Sequence, residues 1–178
     1  NKKFRGKSPE VMRMILRSYA RNISSEASYQ TLIDDVVKSN NRTMDSKTFD
    51  DYMDALKDLY ILEDIEAWNP NLRSKTVVRS TSTRHFVDAS IACQALGIKP
   101  ADLMKDLNSF GLFFEDMAVR DLKIYSMRRG GEVRHYRDSR GLECDAVVHL
   151  EDGRWALIEV ILGGDDLIED GAKNMMKI

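Results

Sequence analysis

The chain has 178 residues, 43% of them hydrophobic and 31% charged, with only 10 Gly and 3 Pro, which gives it enough material for a core and excludes a disordered, collagen-like or low-complexity chain. Lys and Arg at 27 against Asp and Glu at 29 leave a net charge of -2, so no global positive field advertises a nucleic-acid partner and any such contact has to be local. No apolar run approaches the ~20 residues of a membrane span, and the start Asn1-Lys2-Lys3-Phe4-Arg5 lacks the apolar stretch of a signal peptide, so a cytoplasmic protein with no membrane partner is expected.

The elements follow in chain order. Ser8 caps a first helix with Pro9 at its first position and an apolar stripe of Val11, Met12, Ile15, Leu16 and Tyr19. Ser28 caps a second, with Tyr29, Leu32, Ile33, Val36 and Val37, and the polar stretch from Lys38 to Thr43 ends it. A third starts at Asp45 or Ser46 and turns Phe49, Tyr52, Met53, Leu56 and Leu59 inward. A strand from Ile61 to Trp68, a turn at Asn69-Pro70-Asn71, and returning stretches at Thr76–Arg79 and Arg84–Val87 make a small antiparallel ribbon. Three helices plus a ribbon is the winged-helix plan, and residues 1–87 are assigned to it. A second unit, 88–178, opens with a short helix capped by Asp88 and closed by Gly97, then another at Lys99-Pro100. A longer helix runs from about Phe110 to Tyr125. After Arg128-Arg129-Gly130-Gly131 the period becomes alternating, giving strands Val133–Arg137, Leu142–Leu150 and Trp155–Leu162, with a helical tail from Asp165. The class is therefore α+β, with α/β character in the second unit. The first residue is not Met and the pattern stops at Ile178, so a piece of a longer chain is expected, its second unit truncated. Cys93 and Cys144 stand alone, without CxxC or a paired His, and read as buried small side chains.

The chemistry-bearing residues are carboxylates set among apolar ones. On the long helix Glu115 falls in a row with Leu112, Val119 and Leu122, or else lies at the boundary of the stripe and reaches solvent. On the second strand of the three, Glu143, Asp145, Val147 and His149 share one face, opposite Leu142, Cys144, Ala146, Val148 and Leu150. A three-residue loop Glu151-Asp152-Gly153, with Gly153 left-handed, pairs Asp145 with Glu159; a two-residue Asp152-Gly153 loop pairs it with Val160 and sends the acids to opposite faces. In the first register two like charges face each other, an arrangement that a hard divalent cation, Mg or Mn, would relieve and that could activate a water toward a phosphodiester. Two acids on a solvated sheet face remain the alternative. From Arg120 to Arg140 the bases Arg120, Lys123, Arg128, Arg129, Arg134, Arg137 and Arg140 outnumber Asp121, Glu132 and Asp138, a local +4 that suits a DNA phosphate-facing patch or a solvated helix end. The third helix carries Asp45, Asp50, Asp51, Asp54 and Asp58 against Lys47 and Lys57, which argues against groove reading and for contact with a protein partner.

Gly111-Leu112-Phe113-Phe114-Glu115, His135-Tyr136-Arg137-Asp138-Ser139-Arg140-Gly141-Leu142-Glu143-Cys144-Asp145 and Leu157-Ile158-Glu159-Val160 resemble the C-terminal region of prokaryotic AAA-type ATPases, domain of unknown function 4143. The resemblance covers most of the chain from about Ser8. It implies a winged helix followed by a domain similar to the PD-(D/E)XK nuclease fold, downstream of an ATP-binding module. It also implies a catalytic set of Glu115, Asp145 and Glu159, with Asp145 and Glu159 on the metal, while the local charge makes Arg128, Arg129, Arg134, Arg137 and Arg140 the residues expected toward DNA. One departure stands out: the family pattern has Lys where this chain has Ile161, which removes a charge-stabilising group unless Lys123, Lys173 or Lys177 replaces it. No G-x-x-x-x-G-K-[ST] occurs, so ATP hydrolysis would belong to the upstream module and not to these residues. The competing expectation is a non-catalytic module that couples that ATPase to DNA or protein.

Overall fold

The structure, a computed structural model, describes residues 6–69 and 81–178. The strand expected at Thr76–Arg79 and most of the turn before it lie outside the described residues. Three helices come first: α1 (Pro9–Arg21), α2 (Tyr29–Asn40) and α3 (Ser46–Asp58). Each begins where a short polar side chain can satisfy an otherwise unpaired N–H, with Ser8 Oγ accepting from Val11, Ser28 Oγ from Thr31 and Asp45 Oδ1 from Thr48. Their apolar faces meet in a first core of Ile15, Tyr19, Leu32, Val36, Phe49, Met53 and Leu56, all fully buried. Burying each such side chain stabilises the fold by roughly 1.5–3 kcal/mol before conformational entropy is subtracted. The face of α3 away from this core carries Asp50, Asp51, Asp54 and Asp58, all exposed.

Two short strands, β1 (Leu62–Ile65) and β2 (Thr83–Phe86), pair antiparallel beside the helices. A polar hub locks them there. The Asp64 carboxylate accepts from the Tyr19 and Tyr29 hydroxyls at 2.7 and 3.1 Å and pairs with Lys57 and with Arg84 at 2.9 Å. Burial opposes ionisation of Asp64, but Lys57, Arg84 and Tyr19 together hold it below the usual carboxylate range. One carboxylate thereby joins α1, α2, α3, β1 and β2.

Asp88 caps α4 (Ala89–Leu96), which ends at left-handed Gly97, and α5 (Pro100–Leu103) follows. These two helices and the first turns of α6 (Leu107–Met127) send Ala92, Leu103 and Phe113 into the first core, although they were grouped with the second unit in the sequence reading. Helix α6 leads to a three-stranded antiparallel sheet, β3 (Glu132–Arg137), β4 (Glu143–His149) and β5 (Trp155–Ile158), and then to α7 (Asp165–Met175). The final strand stops at Ile158, four residues short of the Leu162 expected from alternation. The architecture is mixed α+β, with seven helices and two small antiparallel sheets among the described residues. No helix among them is long and apolar enough to cross a membrane.

The two sheets are stitched together just past β1. Ala67 bridges His135 in parallel, the Trp68 N–H donates to the His135 carbonyl at 2.6 Å, and the His135 N–H donates to the Glu66 carbonyl at 3.0 Å. A Lys123–Glu63 ion pair ties α6 to β1. The larger sheet is covered on both faces. Val119 and Leu122 of α6 meet Val133, Ala146, Val148 and Ile158 on one. Trp68, Tyr136, Cys144, Val147 and Leu157 pack with Met175 of α7 on the other.

Strict alternation along β4 does not survive. Its pairing with β3 runs Val133↔Val148 and Arg134↔Val147, then resumes at Tyr136↔Cys144, so Asp145 and Ala146 together face the single residue His135. This β-bulge reverses the alternation: Cys144 shares a core with Val147, and Ala146 shares the opposite one with Val148. The expectation that Cys144, Ala146 and Val148 share a face is corrected, because the extra residue rotates the chain between them.

Candidate metal centre

The hairpin settles the register left open by the sequence. Leu150 N–H donates to the Arg154 carbonyl at 2.8 Å, Gly153 takes φ +84°, and Ala146↔Ile158 through His149↔Trp155 are partners. Continued by one position, that register sets Asp145 opposite Glu159, as the three-residue loop requires. Glu159 lies one residue beyond β5. There the chain turns so that the Val160 N–H donates to Asp145 Oδ2 at 2.7 Å. The bulge aims Asp145 toward α6, where Glu115 lines the same cleft of about 250 Å³. Ser24, Glu26, Arg137 and Glu143 complete its polar wall.

Three acids from three elements therefore act on one another. Burial pushes the Glu115 carboxyl up to about 9, and the charges of Asp145, Glu159 and Asp116 add to the shift. Burial, then the charges of Asp145 and Glu143, pushes Glu159 up to about 7. Asp145 is raised as well, by burial and by Glu143, against the opposing N–H of Val160. Glu159 Oε2 is buried with no hydrogen-bond partner among the described residues. Buried carboxylates are usually paired with a cation, and among the described residues no Lys or Arg pairs with any of these three acids, Arg137 of the same cleft being held by Glu143 and Glu26.

The fit to a metal is one of donor type more than of finished geometry. Every donor is a carboxylate oxygen, the ligand preferred by hard divalent cations, and the unpartnered Glu159 oxygen is free to coordinate. Among the described residues, however, no three Asp, Glu, His or Cys groups already stand at ligand spacing. The acids are neighbours that would have to close on a cation.

Ile161, at the position where the resemblance expects Lys, is taken up by packing. The Ile161 Cδ1 lies 2.6 Å, and Glu159 Cγ 3.4 Å, from where a Cβ at Gly171 would stand, so both residues lean on α7 where it comes closest. The three candidate replacements are held elsewhere: Lys123 by Glu63, Lys173 by Glu169 and Asp170 of its own helix, Lys177 by Asn174. The basic stretch is largely neutralised too. Arg120 pairs with Asp88 and Asp121, Arg134 with Glu132 and Glu66, Arg137 with Glu143 and Glu26, and Arg140 with Asp138, leaving Arg128 and Arg129 exposed at the end of α6. His149 does not join the acids. The bulge turns it to the other face, beside the Trp68 ring at 6.5 Å and Glu132 at 3.9 Å.

Two site residues escaped the sequence reading. Asp116 is fully buried, accepting from the Phe86 N–H at 2.9 Å and lying 3.1 Å from His85 Nδ1, so it fixes α6 against β2 and sets where Glu115 points. Its signal was present, since Phe113, Asp116 and Val119 recur at intervals of three on the buried side of α6. Glu143 adds a fourth charge at the cleft mouth, and the Arg137 guanidinium 3.2 Å away balances it.

Comparison with known proteins gives one match: a family model described as a domain of unknown function, DUF8612, fits residues 1–102, more than half of the chain. No curated protein and no solved structure matches.

Proposed function

We propose that this chain, which belongs to the DUF8612 family, carries beyond the matched residues a divalent-cation site of a nuclease-like domain, held by Asp145 and Glu159 with Glu115 as the third acid, and that the domain binds without efficient cleavage. The observation that carries this reading is the meeting of three carboxylates from α6, β4 and the end of β5, with a buried Glu159 oxygen left unpartnered. The helix, three antiparallel strands and helix of α6 through α7 are consistent with the PD-(D/E)XK resemblance, and the three helices and ribbon before them with a winged helix. On that resemblance the chain is the C-terminal part of a cytoplasmic AAA-type ATPase, and nucleotide hydrolysis belongs to its upstream module.

A bound Mg or Mn ion would supply charge neutralisation and, in an active relative of this kind, a water of lowered pKa. The chain's own residues do the rest. Asp145 is positioned by the Val160 N–H, Glu159 by the turn after β5, and Glu115 by the buried Asp116 one residue on. Among the described residues no lysine ammonium pairs with these acids. Ile161 packs on Gly171 and the three candidate lysines are engaged elsewhere, which favours binding over chemistry. Loss of one such charge-stabilising donor costs on the order of 10²–10³ in rate. The acidic outer face of α3 further favours a protein partner over DNA for the first half.

Manganese titration of thermal unfolding, run with plasmid and single-strand cleavage assays, tests both parts. The wild type gains stability with manganese, Asp145→Asn does not, and neither cuts DNA. A wild type whose unfolding ignores manganese rejects the site, and manganese-dependent cutting lost in Asp145→Asn rejects the claim of binding without efficient cleavage.

A further inference from the structure

The largest groove described in the molecule is remote from the acids. It lies between α1 and α4, holds about 780 Å³, and has an apolar floor that includes Met14, Leu16, Ile91 and Ala95. Arg13 and Arg17 stand one turn apart on its α1 wall. While Arg21, one turn further on, is paired with Asp35, neither Arg13 nor Arg17 has an ion-pair partner among the described residues. The groove therefore calls for an occupant with an apolar ridge and acids one helical turn apart.

The chain itself carries such a ridge on α7. That helix packs inward through Gly171 and Met175, which leaves Asp165, Glu169, Ala172 and Met176 in one outward row at i, i+4, i+7 and i+11, with the half-exposed Ile168 at its edge beside Met175. Ile168 is 51% and Met176 80% exposed. Asp165 and Glu169 are one turn apart, matching the interval between Arg13 and Arg17, and the one ion pair Glu169 makes among the described residues, with Lys173 of its own helix at 3.8 Å, is solvent-exposed.

We infer that α7 of one copy of this chain docks in the α1/α4 groove of a second copy, with Asp165 and Glu169 against Arg13 and Arg17 and Ile168 and Met176 on the apolar floor. The contact joins two different surfaces, so each copy keeps a free groove and a free helix, and association continues into rings or open arrays. It needs no cation, and it stands whether or not Asp145 and Glu159 bind one.

Complementary charge reversals test it in sedimentation velocity. The wild type shows a sedimentation coefficient that climbs with concentration and falls back with added salt. Arg13→Glu/Arg17→Glu and Asp165→Lys/Glu169→Lys each remain monomeric, self-association weakening about tenfold or more. Mixed together, the two variants associate again, because the intact helix of one meets the intact groove of the other and the reversed helix meets the reversed groove with the charges exchanged. Circular dichroism confirms that each variant is folded. Should either fail to fold, Ile91→Arg and Ile168→Arg serve as the same pair on the apolar side. A wild type that is monomeric at every concentration overturns the proposal. So does a symmetric dimer indifferent to the reversals, or a mixture of folded variants that stays monomeric; the last two would assign the groove to a different occupant.

Discussion

Glu115 is the residue whose state says most about the site. Its carboxyl, ordinarily near 4.5, is pushed by burial and by three neighbouring acids up to about 9. Between those values the folded chain holds a proton that the unfolded chain has released, so the proton number is larger in the native state and stability falls as pH rises. Without divalent cations, the unfolding temperature should therefore drop by several degrees from pH 5 to pH 9, given that 1 kcal/mol is worth roughly 2–4 °C in a chain of this size. Glu115→Gln, which is neutral throughout, should remove most of that slope. A wild type as stable at pH 9 as at pH 5, in chelator, would show that the acids do not burden one another. At this scale the sequence disclosed three of the participants. Glu115 and Glu159 each stand in an apolar row, and the loop length across the hairpin points from Glu159 to Asp145, signals that are visible in one dimension. Glu143, which stands at a strand end facing solvent, interrupts nothing and could not be singled out.

At the scale of elements, the site depends on a bulge and on a close helix approach. The bulge at Asp145-Ala146 swings Asp145 toward α6, and Gly171 lets α7 lie against Ile161 and Glu159. A methyl group at Gly171 would displace the Ile161 Cδ1 and crowd Glu159, so Gly171→Ala should gain less than the ~1 kcal/mol that Ala usually adds to a helix and should weaken manganese binding. Isothermal denaturation and manganese titration of the same variant check the pair. The full gain with unchanged affinity would mean that α7 does not bear on the acids. The helices were legible because their signals are local: Ser8, Ser28, Asp45 and Asp88 sit at the caps expected of them, and Gly97 closes α4. The bulge was not, because it exists only in the pairing of β4 with β3, and alternation read along β4 alone assumes that no residue is extra. The end of β5 was hidden for a related reason. Glu159-Val160-Ile161-Leu162 still looks like a strand, but the chain turns there to give the Val160 N–H to Asp145.

For the whole molecule, the question is how firmly the first three helices are joined to the larger sheet. Trp68 makes much of that joint. Its N–H donates to His135, and its ring lies 6.3 Å from Tyr136 and 5.1 Å from Trp155, measured between centroids. Helices α4 to α6 extend the first core into the second half of the chain. The molecule should unfold in one transition, with circular dichroism and tryptophan fluorescence coincident. Trp68→Ala should remove about 3–5 kcal/mol and separate the two signals. Separate transitions in the wild type would instead describe two independent units. A division into winged-helix and nuclease-like units at Asp88 followed from the plan of three helices and a ribbon before it, whereas the stitch at Ala67 and Trp68 is a long-range pairing that no local pattern announces.

Calorimetric titration of manganese and magnesium in two buffers of different ionisation enthalpy probes the divalent-cation site of Asp145, Glu159 and Glu115 most directly. Such a site binds saturably near pH 7, releases protons from the raised Glu115 and Glu159 as the cation takes their place, and loses both signals in Glu159→Gln. Binding that survives in Glu159→Gln, or a wild type that takes up neither ion, would contradict it.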